Sequence, residues 1–271
     1  MISIGSYQIS QVILERFSLD GGAMFGAVPK TLWSKKIEPD DKNRISMVTR
    51  VLVIEGEGKR ILVDTGCGNK WSEKLRDIYQ IENIKSVKDA CADPTDIILT
   101  HLHFDHGAGL TQAGGELTFP NAELHINKSH YKHALNPGPR ERASYLEENI
   151  KPLEKAKINF TSNKQEVFPG IRLFQSDGHT KGMQWLTISS TDSKQTLAYP
   201  TDLIPTSQNI PPAYVMGYDL HAEKSMAEKQ AFLDQAVQNN WLIVFEHDFD
   251  TPAGHISQDN KGNYKLSPHN L

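Results

Sequence analysis

The sequence predicts a layered α/β architecture. Short apolar runs bounded by turn residues recur along all 271 residues, and stretches of helical periodicity lie between them in both halves. No short-period repeat and no low-complexity linker divides the chain. Length alone would allow two domains, since about 150 residues is an ordinary domain size. Hydrophobic residues make up 38% and charged residues 23%, which is a globular composition able to bury a core. That balance excludes collagen-like, disordered and disulfide-scaffold proteins. With 29 basic against 33 acidic residues the formal charge is −4, so the general basic footprint of a nucleic-acid binder is missing. Cys67 and Cys91 cannot form a disulfide framework. The amino terminus lacks a basic segment, and Gln8, Ser10 and Gln11 interrupt its apolar residues. No stretch approaches the ~18 apolar residues of a membrane span. The expectation is a cytoplasmic protein with neither membrane nor nucleic acid as partner.

Taken in order, the first strand is expected over 9–14. Runs 48–54 and 60–63 flank Glu55-Gly56-Glu57-Gly58-Lys59, which reads as a hairpin turn. Further strands are expected at 96–99, 123–126, 171–174, 185–188, 196–199 and 241–245. Residues 222–239 place Phe232, Leu233, Ala236 and Val237 at helical spacing, as a core-facing amphipathic helix requires. The spacing from Ser144 to Glu147 reads as a capping box before a helix carrying Leu146, Ile150 and Leu153.

The chemistry concentrates in Thr100-His101-Leu102-His103-Phe104-Asp105-His106-Gly107, which follows the apolar run Ile97-Ile98-Leu99. In extended chain, residues two apart face one side, so His101, His103 and Asp105 converge where the strand leaves its sheet. His106 joins them if the chain turns there, and Gly107 and Gly109 ease a turn. Three imidazoles and a carboxylate are costly to bury without partners, and a metal ion is such a partner. His179, Asp202 and His247 each follow the end of another expected strand. Together these seven residues offer two adjacent metals a full set of N and O ligands, with one carboxylate shared. His125, His130, His133, His221, His255 and His269 lack this context and read as surface or ordinary hydrogen-bonded residues. A set without cysteine suits Zn²⁺ best, with Mn²⁺, Fe²⁺ or Co²⁺ as alternatives.

From Leu62-Val63-Asp64-Thr65-Gly66 to Phe245-Glu246-His247-Asp248 the motifs resemble those of the metallo-β-lactamase-fold superfamily of binuclear metallohydrolases. The resemblance implies a four-layer αββα sandwich, two mixed sheets with helices on the outer faces. It implies that His101, His103 and His179 bind the first metal, that Asp105, His106 and His247 bind the second, and that Asp202 bridges both. Asp64 matches the family's aspartate that orients a ligand or metal-bound water, and it also suits a cap on the strand-end turn before Gly66. A domain boundary between His106 and His179 would split this site, so residues 1–271 are expected to form a single domain. Within it, 127–160, with Asn136-Pro137-Gly138-Pro139, reads as an inserted lid or rim.

Within the superfamily, His103 stands where the oxygen-reducing di-iron branch usually has glutamate. Only 24 residues follow His247, too few for the helical substrate domain of glyoxalase II. Steps of 23 residues from His179 to Asp202 and 45 from Asp202 to His247 are similar to the acyl-homoserine lactonase and organophosphate-hydrolase branch. That resemblance implies a hydrolase in which a metal-bridging hydroxide cleaves a small carboxylic ester or lactone. Asp105 would pass a proton to the leaving group. Phosphotriester or aryl-ester hydrolysis is the alternative, and a di-iron oxidoreductase a more distant one. Leu19-Asp20-Gly21-Gly22-Ala23-Met24-Phe25-Gly26 also resembles that branch and would be a loop near the site. Its Met24 and Phe25 either wall the substrate or pack within the loop, and its apolar residues would equally serve a homodimer contact. Tyr214 and Met216 are further candidates for the cleft. Where lactonases of this branch place a tyrosine three residues after the bridging aspartate, this chain has Pro205, leaving Tyr214 or Tyr218 to replace it.

Overall fold

The computed structural model describes residues 1–190 and 195–270. Its first half supplies strands β1 (Ile2–Ile4), β2 (Tyr7–Asp20), β3 (Arg44–Gly56), β4 (Lys59–Val63), β5 (Glu82–Asn83), β6 (Asp96–Ile98), β7 (Glu123–Asn127) and β8 (Lys157–Thr161). They form one sheet in the order β1-β2-β3-β4-β6-β7-β8, with β5 paired to β2. The second half supplies β9 (Gln165–Phe168), β10 (Ile171–Ser176), β11 (Met183–Ser189), β12 (Thr196–Tyr199), β13 (Leu242–Val244), β14 (Ala253–Gln258) and β15 (Tyr264–His269). These run consecutively across a second sheet from β15 to β9. Both sheets are mixed: β4, β6, β7 and β8 pair in parallel, as do β12 and β13, whereas β2, β3 and β4 pair antiparallel, as do β10, β11 and β12.

Side-chain alternation decides which layer each face meets. Leu52, Ile54, Ile61, Val63 and Ile98 of the first sheet pack against Leu173, Leu186, Ile188, Leu197 and Val244 of the second. Their neighbours Val51, Val53 and Leu62 point the other way, onto Tyr145, Ile150 and Leu153. On the far face, Trp185 and Ile243 meet Phe232, Leu233 and Ala236 of the helix Ala222–Gln238. The result is the helix–sheet–sheet–helix stack of the metallo-β-lactamase fold. Gly56 pairs with Lys59, so the expected hairpin turns on Glu57 and Gly58, whose φ angles of 52° and 70° are those of a type I′ turn.

Two local expectations differ. Residues 144–147 form no capping box: Ser144 ends a 3₁₀ turn over Arg142–Ser144, and the next helix, Glu147–Ile150, starts after Leu146 without a side-chain cap. Between them Tyr145 is drawn into the core, where its hydroxyl meets Thr180 Oγ1 at 2.8 Å. Burial of the ring outweighs a modest cap. The 19–26 segment is not a plain loop either. Asp20 Oδ1 accepts from Ala23 N at 2.7 Å and starts a short helix, Gly21–Phe25. The short strands β1 and β5 lie outside the expected set, as do β8, β9, β14 and β15. The burial patterns of these last four are irregular and partly exposed, so the periodic signal is weak.

Candidate metal centre

Loops at the carboxyl ends of β4, β6, β12 and β13, with the β10–β11 connection, converge on one place. The chain stays extended through His101 and His103, then makes one helical turn, Phe104–Gly107, that brings Asp105 and His106 alongside. This turn is clamped to the end of β4 because Thr65 N and Oγ1 both donate to His106 O, at 2.7 and 2.9 Å. Gly109 permits the contact: a Cβ there would lie 2.1 Å from Thr65 O. Thr201 holds φ at 50°, a strained value for a β-branched residue, immediately before Asp202.

His101, His103, His179 and Asp202 each bring a ligand atom to one group, and Asp105, His106 and His247 form a second. In the first, His103 Nδ1 lies 3.1 Å from both His101 Nε2 and His179 Nε2. Asp202 Oδ2 is 3.6 Å from His101 Nε2 and 3.1 Å from His179 Nε2. In the second, His106 Nε2 and His247 Nε2 are 3.2 Å apart, and each lies 3.8 Å from an Asp105 oxygen. Asp202 reaches this group too, Oδ2 at 3.5 Å from His106 Nε2 and Oδ1 at 3.2 Å from His247 Nε2.

Several rings present acceptor nitrogens because their other nitrogen is already engaged. His179 Nδ1 pairs with Asp219 Oδ1 at 2.9 Å, and His247 Nδ1 donates to Val48 O at 2.8 Å. His106 Nδ1 lies 3.0 Å from Asp64 Oδ2 and 3.1 Å from Glu246 Oε1. Ring nitrogens converging at 3.1 Å repel when neither carries a proton, and a cation among them removes that repulsion. Tetrahedral ligands about 2.0–2.1 Å from Zn²⁺ stand roughly 3.3 Å apart. Buried Asp202 Oδ1 has no hydrogen-bond partner. The residues therefore fit a pair of divalent cations.

The electrostatics agree. Burial lowers His101 and His103, keeping both rings neutral. Burial also opposes charge on His179, but Asp202 and Asp219 outweigh it and raise its pKa to about 10. His106 is raised well above the ordinary value against the same penalty, by Glu246, Asp105 and Asp202. His247 is raised as well, by Asp202 and Glu246. A site that collects protons on its imidazoles demands positive charge, which metal ions satisfy in their place.

Asp64 occupies the strand-end turn with φ at 59° and also reaches the site. Its carboxylate accepts from Thr100 N and Oγ1 at 2.8 and 2.7 Å, besides facing His106. Three supporting carboxylates lie outside the set expected from the sequence. Glu246 is fully buried, and burial together with Asp64 raises its pKa to about 7 despite His106. Its position immediately before His247 was the available signal. Asp219, 40 residues from His179, carries none. Glu141 is buried, pairs with His133, accepts from Thr180 Oγ1 at 2.8 Å and lies 3.9 Å from His103 Nε2. His130 ties the two histidine loops together, accepting from Leu102 N and meeting Lys181 O, both at 2.8 Å.

A cleft of about 150 Å³ opens over His103, Asp105, His179, Asp202 and His247. Met24 and Met216 line it, with Leu19, Met47 and Phe104 completing the apolar wall. Phe25 and Tyr214 do not. Phe25 is fully buried and stacks on Trp33 at 5.4 Å, with Tyr214 edge-on behind it. Tyr218, Tyr79 and Arg140 line the opening instead. Larger concavities of about 750 and 440 Å³ lie elsewhere and include none of the clustered histidines. Cys67 and Cys91 are both buried and unpaired. Among the described residues no helix is long and apolar enough to cross a membrane.

Known proteins resemble this chain in sequence and fold. An N-acyl homoserine lactonase of Bacillus thuringiensis subsp. kurstaki is 29% identical over 181 residues, which are 65% of each chain. This chain thus spans about two thirds of the length of that curated relative. A probable metal-dependent hydrolase from Staphylococcus aureus is 28% identical over the full length of both chains, with a TM-score of 0.89. AidC, a dizinc quorum-quenching lactonase solved with N-hexanoyl-L-homoserine as product, shares the fold at a TM-score of 0.81 and 21% identity, covering 100% of this chain and 97% of its own. The family model for the metallo-beta-lactamase superfamily matches residues 47–247, from β3 to the last of the clustered histidines, and the chain belongs to that superfamily.

Proposed function

We propose that the protein is a binuclear metal-dependent hydrolase of carboxylic esters or lactones. The observation that carries this reading is the meeting of two ligand groups on one carboxylate, Asp202. His101, His103 and His179 would hold one ion, Asp105, His106 and His247 the other, and Asp202 both. Zn²⁺ is the first choice for this donor set, ahead of Mn²⁺, Fe²⁺ and Co²⁺. When bound, two such cations polarise a carbonyl oxygen and make water acidic enough to serve as nucleophile near neutral pH.

The chain's own residues do the rest. Asp219, Asp64 and the Val48 carbonyl orient the rings of His179, His106 and His247. Met24, Met47 and Met216 hold the apolar part of the substrate and exclude water. Asp105, whose carboxylate borders the cleft, would take the proton given up by the attacking water and pass it to the leaving alcohol oxygen as the acyl C–O bond breaks. Tyr218 supplies the phenol that Pro205 cannot, donating to the substrate carbonyl. The Pro205 carbonyl has a different task, accepting from His247 N at 3.0 Å. Residues 1–271 act as one hydrolase unit, with 127–160 as its rim.

Dialysis against a strong chelator, then zinc titration, tests the reading. Turnover of N-hexanoyl-homoserine lactone and an aryl ester should vanish and return as two zinc ions bind per chain. Full activity after chelation overturns it. Turnover of a phosphotriester alone would move the substrate to that class.

A further inference from the structure

We infer that Arg140 makes the cleft selective for substrates bearing an anionic group, a carboxylate or phosphate, away from the bond that is cleaved. The inference rests on the ester-hydrolase reading and narrows it. Among the described residues, Arg140 is the sole lysine or arginine lining the cleft. It faces the same opening as His103, Asp105, His179 and Asp202, beside Ser144 and Tyr218.

Its charge is held in place without being cancelled. Arg140 Nη2 donates to Gly217 O and Asp219 O at 2.5 and 3.3 Å. Among the described residues no carboxylate stands within 4.0 Å of the guanidinium. The nearest candidates by position are committed elsewhere. Asp219 gives one oxygen to His179 and the other to Met216 N, while Glu141 turns inward to His133 and Thr180. Backbone carbonyls fix a guanidinium but leave its full charge, and its remaining N–H groups form the fork that matches a carboxylate or phosphate.

Local sequence keeps the residue there. Pro137 and Pro139 restrict the chain on one side. Buried Glu141 anchors it on the other. Exposed arginines ordinarily lose much of their pull to rotamer freedom, and this one is already restrained across the gap between the 127–160 rim and the 216–219 turn. The apolar wall and the cation therefore ask for a compact substrate, apolar along the chain and negative at one end.

The test uses metal-loaded protein and a matched pair, 4-nitrophenyl hemisuccinate and 4-nitrophenyl butyrate. The hemisuccinate should have the higher kcat/KM by about tenfold or more, carried by KM. Arg140→Met should collapse that ratio towards one, and Arg140→Lys should restore part of it. Added NaCl should reduce the ratio in the wild type and leave it flat in Arg140→Met. An unchanged ratio in Arg140→Met overturns the inference. If neither ester is cleaved, the ester reading fails on its own. Calorimetric binding of the same pair then decides the question, a wild-type preference lost in Arg140→Met supporting Arg140 and equal binding overturning it.

Discussion

The floor of the cleft and its rim are built on different principles. On the floor, His101, His106, His179 and His247 are 2% exposed or less, and each ring is tied to a strand end. At the rim, Arg140 and Tyr218 are exposed and come from turns. Floor residues are constrained by where strands stop, and a shift in any one disrupts contacts with several others. At the rim two bonds to backbone carbonyls hold Arg140 and none holds the Tyr218 hydroxyl among the described residues, so both can change without disturbing the clustered histidines.

Asp202→Ala is the most severe way to break the floor. Its carboxylate reaches both groups, with Oδ2 3.1 Å from His179 Nε2 and 3.5 Å from His106 Nε2, and Oδ1 3.2 Å from His247 Nε2. Without it, the imidazoles of His106, His179 and His247 lose the carboxylate that draws positive charge to them. Zinc content should fall from two ions per chain to one or none, by elemental analysis. Ester turnover should drop on the order of 10³-fold or more, since several kcal/mol of carbonyl polarisation disappear. Retention of both ions would show that the groups are independent sites.

The floor was legible in the sequence for a physical reason. A strand that ends in a sheet delivers its next residues to one edge, so polar ligands directly after apolar runs announce where they will meet. His101, His103, Asp105 and His106 follow β6 in this way, and Asp202 and His247 follow β12 and β13. Asp64 was readable both as a turn residue and as a partner of the site, and its geometry shows it making both contacts. Asp219 and Glu141 were not legible because their partners are 40 and 38 residues away and no periodic element carries them. Phe25 and Tyr214 misled because an apolar residue near a site has the same composition signal whether it faces substrate or core. Met24 and Met216 sit one or two positions from them and reach the cleft.

Glu15, which lines a separate concavity away from the cleft, sets the floor against a buried carboxylate that has no cation beside it. It is 2% exposed, and its Oε2 accepts from Thr49 Oγ1 and Cys67 N rather than from a cation. Burial raises its pKa to about 7, more than those bonds lower it. A carboxyl raised in the folded state contributes its stability below the unfolded value of 4.5, and loses it as pH climbs to about 7. The loss amounts to roughly 3 kcal/mol at most. Urea unfolding of wild type and Glu15→Gln from pH 4 to 8 should show the variant gaining relative stability with pH. A constant difference would mean that Glu15 ionises freely and that an isolated buried carboxylate is tolerated away from the cleft.

Tyr218→Phe tests whether the rim enters the chemistry at all. The phenol lines the cleft and is 37% exposed, and among the described residues its hydroxyl makes no hydrogen bond. Burial, then Tyr79, Asp20 and Asp105, raise its pKa, so it stays a proton-bearing donor at any working pH. A donor aimed at a carbonyl oxygen matters most as that oxygen gains charge, so removing it should lower kcat about tenfold and leave KM within twofold. The floor ligands are untouched by this change, and two zinc ions should still bind. A rise in KM with unchanged kcat would instead make Tyr218 a wall that positions substrate, returning all of the bond-breaking to the floor.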